Sequence, residues 1–109
     1  MSAWKLFLDD ERDPVGTGWT VCRSVAEVVA VVRIFGLPGY VSFDHDLGPG
    51  PAPVGYENSG MGLARWITDQ IMDGAYPLPA GFGYYVHSQN PIGAANITGL
   101  LDKFLENTG

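Results

Sequence analysis

The chain has 109 residues, 46% of them apolar and 17% charged, which suits one domain with a single core and argues against disorder. Its formal charge of −6 and its few, scattered Lys and Arg residues exclude an extended nucleic-acid surface, because holding many phosphates requires clustered cations. No apolar run approaches the roughly 20 residues of a membrane span, residues 1–8 lack the pattern of a signal peptide, and Cys22 alone offers neither a disulfide framework nor a zinc ligand set, so a cytoplasmic setting is expected.

An apolar run over residues 4–8 stops abruptly at Asp9-Asp10-Glu11 and reads as a buried first strand. Residues 10–18 form a turn-rich loop punctuated by Pro14, Gly16 and Gly18, and residues 19–22 form a second strand. Ser24 and Glu27 have capping-box spacing and open a helix. Its apolar stripe is Val25, Val28, Val29, Val32 and Phe35, and Gly36 suits its C-terminal cap. A third strand over 40–43 runs into Asp44-His45-Asp46. The Pro- and Gly-rich stretch 48–60 follows, then a second helix marked by Leu63, Ala64, Ile67 and Ile71 and ending near Asp73 and Gly74. A fourth strand at 82–86 delivers His87. Asn90 as N-cap and Pro91 at the first helical position open a last helix, whose apolar face is Ile97, Leu100, Leu101, Phe104 and Leu105.

The order ββαβαβα predicts one α/β domain over residues 1–109, a small, mostly parallel four-stranded sheet covered by about three helices. The short loop between the first two strands leaves an antiparallel pairing open, since a crossover of about ten residues is near the minimum for a parallel one.

Polar clusters follow three of the four apolar strands: Asp9-Asp10-Glu11-Arg12, Asp44-His45-Asp46, and His87-Ser88-Gln89-Asn90. Ligands of open α/β sheets sit at these carboxyl ends. Carboxylates gathered there must protonate, separate or bind a cation, and oxygen ligands suit Mg²⁺, Mn²⁺ or Ca²⁺ rather than zinc. Asp9, Asp10 and Asp44 are the candidate ligands. Asp46 joins them only if the chain stays extended past Asp44. Each assignment has a structural counterpart: Asp10 and Asp13 as turn caps, His45 and His87 as packed histidines, Asn90 as a helix cap. Trp19, Trp66, Tyr84 and Tyr85 read as packing rather than stacking platforms, and Cys22 as an inert apolar filler.

The motifs LFLDDERDP (6–14), FDHDLG (43–48) and HSQNPIGAANI (87–97), in this order, resemble the cyclic-phosphate processing receiver-like domains. These are similar to trimmed receiver domains of two-component signalling, so the resemblance implies a receiver- or flavodoxin-like fold. In receivers an acidic pair ends strand one and a phosphoacceptor Asp ends strand three, here Asp9-Asp10 and Asp44. The Lys that a phosphorylatable receiver needs near the phosphoryl group has no counterpart, because Lys5 lies in the first strand and Lys103 in the last helix. The resemblance therefore favours a metal-dependent phosphodiesterase-type hydrolase, using Mg²⁺ or Mn²⁺, on a cyclic nucleotide or a 2′,3′-cyclic RNA end. In that reading His87 is the general acid, His45 the base or its supporting partner, and Asp46 a third catalytic candidate. Arg12, Ser88 and the helix start at Asn90 would hold phosphoryl oxygens. The stretch 48–60 would be a lid or a plain linker. Rival readings are a module that only sequesters cyclic nucleotides and a degenerate receiver that docks proteins.

Overall fold

Four strands, β1 (Lys5–Leu8), β2 (Trp19–Cys22), β3 (Tyr40–Phe43) and β4 (Gly83–Val86), pair in the order β2-β1-β3-β4, and every pair is parallel. The computed structural model describes residues 4–108; Met1–Ala3, the front of the segment read as lacking a signal peptide, and Gly109 lie outside the described residues. The antiparallel option for β1 and β2 is not taken. Residues 9–18 return the chain to the start of β2 without a helix, turning at Gly16 and Gly18, whose φ angles of 90° and 86° favour glycine. Arg23 pins this loop, donating to the carbonyl oxygens of Asp9 and Arg12 and pairing with Asp13.

Three helices complete the chain: α1 (Val25–Phe35), α2 (Gly60–Met72) and α3 (Pro91–Thr108). The crossovers from β2 to β3 and from β3 to β4 move in the same direction across the sheet, so right-handed connections place α1 and α2 on one face. The core sits there. Leu6, Leu8, Cys22, Val41 and Phe43 from the strands pack with Val28 and Val32 of α1, Leu63 and Ile67 of α2, and Ile97 and Leu101 of α3. The alternate strand positions, Lys5, Phe7, Trp19, Val21, Tyr40, Ser42 and Tyr85, point to the other face and lie outside this cluster. No helix among the described residues is long and apolar enough to cross a membrane.

The stretch 48–60 is neither lid nor linker: it docks beside α1 and α2. Pro51 O and Asn58 Oδ1 accept from the N–H groups of Ala26 and Val25, and Ser24 Oγ accepts from Glu27 N–H, so the first donors of α1 are satisfied. Glu27 returns its side chain to the N–H of Arg23, one residue before the reciprocal partner that a capping box predicts. Ala52 and Tyr56 pack against the core, and Tyr56 Oη donates to Asp69 at 2.7 Å.

Candidate functional site

The strand ladder continues one residue past each strand. The N–H of Asp9 donates to Cys22 O, that of Asp44 to Leu8 O, and that of His87 to Phe43 O. Strand alternation then carries Asp9, Asp44 and His87 onto the helix-free face, as the row after Phe7, Ser42 and Tyr85. One ligating atom from each of the three lies within 4.8 Å of the other two. Asp9 is 1% exposed and Asp44 6%. Two nearly buried carboxylates beside one imidazole are the group of three metal-capable side chains found among the described residues.

Asp9 is held from several sides. Its Oδ1 accepts from the N–H groups of Glu11 and Arg12 at 2.9 and 2.8 Å, while Oδ2 lies 3.0 Å from His87 Nε2 and 3.6 Å from Arg12 Nε. Burial pushes its pKa up, but the N–H groups of Arg12 and Glu11 and the bond to His87 outweigh it, leaving the carboxyl below its ordinary value. Asp44 goes the other way. Burial, then the charge of Asp9, raise its pKa, and His87, the His45 N–H and Arg12 offset this only in part. Asp44 forms no ion pair among the described residues. A carboxyl that is buried, next to another carboxylate and in no direct ion pair is a place where a divalent ion would relieve repulsion, so the donor set fits the expected metal.

His87 is fixed on three sides. Its ring stacks on Phe7 with centroids 4.5 Å apart and planes 6° apart, Nδ1 lies 2.7 Å from Ser42 Oγ, and Nε2 faces Asp9. An ionised carboxylate only accepts, so Nε2 carries hydrogen. The Ser42 hydroxyl can donate to a bare Nδ1 or accept from a protonated one, and so serves both states of the ring. Sequence reasoning passed over Ser42 and Phe7. A lone polar residue inside YVSF was the available signal for Ser42. For the hydrolase expected from sequence, replacing Ser42 with Ala should leave the fold intact and lower kcat about tenfold, the value of roughly one hydrogen bond; steady-state kinetics check this, and an unchanged kcat removes Ser42 from the site.

The remaining expected residues divide. A cleft of about 300 Å³ opens over the edge, and its walls include Asp9, Asp10, Arg12, Asp44, Asp46, Ser88 and Asn90. Asp10 is therefore a wall residue outside the tight group, where His87 stands in its place. Glu11 and Gln89, members of the expected strand-end clusters to which sequence assigns no individual role, also line the cleft. His45 is not in the wall. Alternation turns it to the helix side, where a Cβ on Gly93 of α3 would come within 2.4 Å of its ring. Its Nδ1 holds Asp46 Oδ1 at 2.8 Å, so of its two expected roles the geometry favours the supporting one. This bond and that from Asn90 Nδ2 lower the pKa of Asp46, which also forms a bridge with Ser59. Asn90 caps α3, its Oδ1 accepting from Gly93 N–H at 2.9 Å, and its own N–H donates to Ser88 Oγ, leaving the Ser88 proton free.

The family model of the cyclic-phosphate processing receiver domain matches residues 4–103. The chain belongs to this family. The match spans all four strands and most of α3, so the cyclic-phosphate processing receiver domain comprises the whole sheet and its three polar strand ends. No curated protein and no solved structure matches the chain.

Two further observations concern the packing of this domain. A Cβ on Gly60 would lie 2.1 Å from Asp44 O, so glycine lets the start of α2 approach the strand end that presents Asp44. Burial pushes the Cys22 thiol up to about 11, in keeping with an unreactive filler.

Proposed function

We propose that this domain opens a cyclic phosphodiester by hydrolysis, on a cyclic nucleotide or a 2′,3′-cyclic RNA end, with the help of a divalent metal. The observation that carries this reading is the convergence of Asp9, Asp44 and His87 under a cleft walled by Arg12 and Ser88. Asp9 and Asp44 would hold Mg²⁺ or Mn²⁺, with Asp10 in reach from the wall; such an ion neutralises phosphoryl charge and lowers the pKa of water. His87 is better suited to proton transfer than to ligation, because Nε2, facing the Asp9 carboxylate, bears a hydrogen rather than a free lone pair.

Opening the ring forms one bond from a water oxygen to phosphorus and breaks one ester P–O bond. The departing oxygen needs a proton. Doubly protonated His87 would supply it by turning the Nε2 hydrogen from Asp9 to the departing oxygen, and the neutral ring left behind keeps its other hydrogen at Nδ1, where the Ser42 hydroxyl accepts it. Arg12, its side chain 49% exposed, and the free Ser88 proton are placed to hold non-bridging oxygens. Asp46, kept ionised by His45 and Asn90, is the candidate to take the proton of the attacking water.

Incubation with 2′,3′-cyclic nucleotides and Mn²⁺, with products resolved by chromatography and phosphorus NMR, tests the reading. Linear monophosphate formed only with metal supports it. Retention of intact cyclic nucleotide on the protein without turnover would favour the sequestering module. Labelling of Asp44 by a small phosphoryl donor would favour the receiver.

A further inference from the structure

We propose that the helix-free face of the sheet is a stacking platform for the last nucleotides of a single-stranded RNA whose 3′ end lies at Asp9, Asp44 and His87. The inference rests on the hydrolase reading and narrows its substrate class from free nucleotides to RNA ends.

All three helices bury their apolar sides on the opposite face, so this one lacks a helical cover. Its rings form a connected path. Tyr40 lies 6.0 Å from Trp19, Trp19 lies 5.9 Å edge-on from Phe7, and Phe7 stacks on His87, which belongs to the site. Tyr85, 60% exposed, sits beside Ser42 in the row next to His87, and Val21, 36% exposed, closes that row on the far side. Phe7 is 8% exposed beneath His87 and serves as the floor, so the rings open to a base are Tyr85 and the half-buried Trp19 and Tyr40; stacking on the aromatics of a sheet is a common way to hold single-stranded RNA.

Charge agrees. In a chain of net charge −6, the first two rows of this face hold one charged residue, Lys5, with its ammonium 4.6 Å from the centre of the Trp19 ring. The patch suits a few stacked bases and one phosphate rather than a long backbone. It is also small. Four strands of four residues cover roughly 250 Å² at ordinary strand spacing, well under the ~800 Å² per partner of a stable protein interface, which disfavours a second copy as the occupant. The distance from the site row to the Trp19 row, four residues along a strand, is roughly 13 Å. A chain of nucleotides is therefore needed to reach it.

The test uses the full chain and a fluorescein-labelled tetraribonucleotide with a linear 3′-phosphate, which reports binding without turnover, against the matching mononucleotide 3′-phosphate as competitor. The tetranucleotide should bind at least about tenfold more tightly. Tyr85→Ala should weaken it about tenfold, Lys5→Glu several-fold, both with unchanged circular dichroism and Tm. Its log affinity should fall with log salt at a slope of about −1.4, the signature of two phosphate contacts, one at Lys5 and one at Arg12. Equal affinity for the two ligands, or variants that bind as wild type, would overturn the platform. So would a dimer in sedimentation equilibrium that Tyr85→Ala dissociates. If the tetranucleotide binds through Tyr85 but no cyclic end is ever opened, the platform stands and the hydrolase reading fails.

Discussion

Asp44→Asn should abolish metal-dependent turnover, by about a thousandfold or more, and at the same time raise the stability of the metal-free protein at neutral pH. The first effect follows from the loss of one of two carboxylates proposed to hold the ion. The second follows from the direction of the Asp44 pKa, raised by burial and by Asp9. An acid with a raised folded pKa binds its proton more tightly in the folded state, so folding favours the neutral form. Stability owed to Asp44 is therefore present at pH below its unfolded value and lost as pH climbs through the folded one. At pH 7 the ionised group opposes folding. Asparagine removes that charge at nearly constant volume, and a gain of about 1 kcal/mol, or about 4–8 °C in Tm, is expected. Asp9 carries the opposite sign: its lowered pKa gives stability above the unfolded value that fades as pH falls. The gain from Asp44→Asn should accordingly shrink as pH is lowered toward 4, and added Mn²⁺ should stabilise the wild type but not the variant. Thermal unfolding across pH, with and without metal, reads all of this. Full hydrolysis by the variant would sink the mechanism; a Tm that falls at pH 7 would show that Asp44 is compensated by something other than a metal.

The same two carboxylates show what could be read from sequence and what could not. Element order and the three polar strand ends were legible, because apolar runs of four or five residues stop abruptly at charged residues. Which residues of each cluster meet was less so. Residues 5-7-9, 40-42-44 and 83-85-87 share one face, whereas Asp10 and His45 are one step out of phase. A single shift of parity separates the expected trio of Asp9, Asp10 and Asp44 from the close group that includes His87. The pairing of β1 with β2 was undetermined for a different reason: the helix-less return through residues 9–18 depends on Arg23 binding backbone oxygens far along the chain. The order of the stretch 48–60 was hidden as well. Its composition suggests looseness, yet it is tied down by the first turn of α1, whose N–H groups need acceptors that no local pattern reveals.

His87→Gln should lower kcat by about a hundred- to ten-thousandfold, the range of a positioned acid, while changing KM little. Glutamine keeps a polar side chain of similar reach but cannot deliver a proton from a cationic ring. The conservative change matters because His87 also has structural duties, stacking on Phe7 and meeting Ser42. His87→Ala would empty the space over Phe7 and leave Asp9 without one of the partners that hold its pKa down, so loss of activity there would not isolate proton transfer. A substrate with a better leaving oxygen, such as a cyclic phosphate ester of an acidic catechol, separates the two causes. Its departure needs little protonation, so it should recover much of its rate with His87→Gln. The Ser42→Ala variant, which keeps the imidazole, should recover less. If the activated ester is slowed as severely as the natural one by His87→Gln, the imidazole acts by shaping Asp9 and the metal site, and the acid role belongs to another group at the cleft.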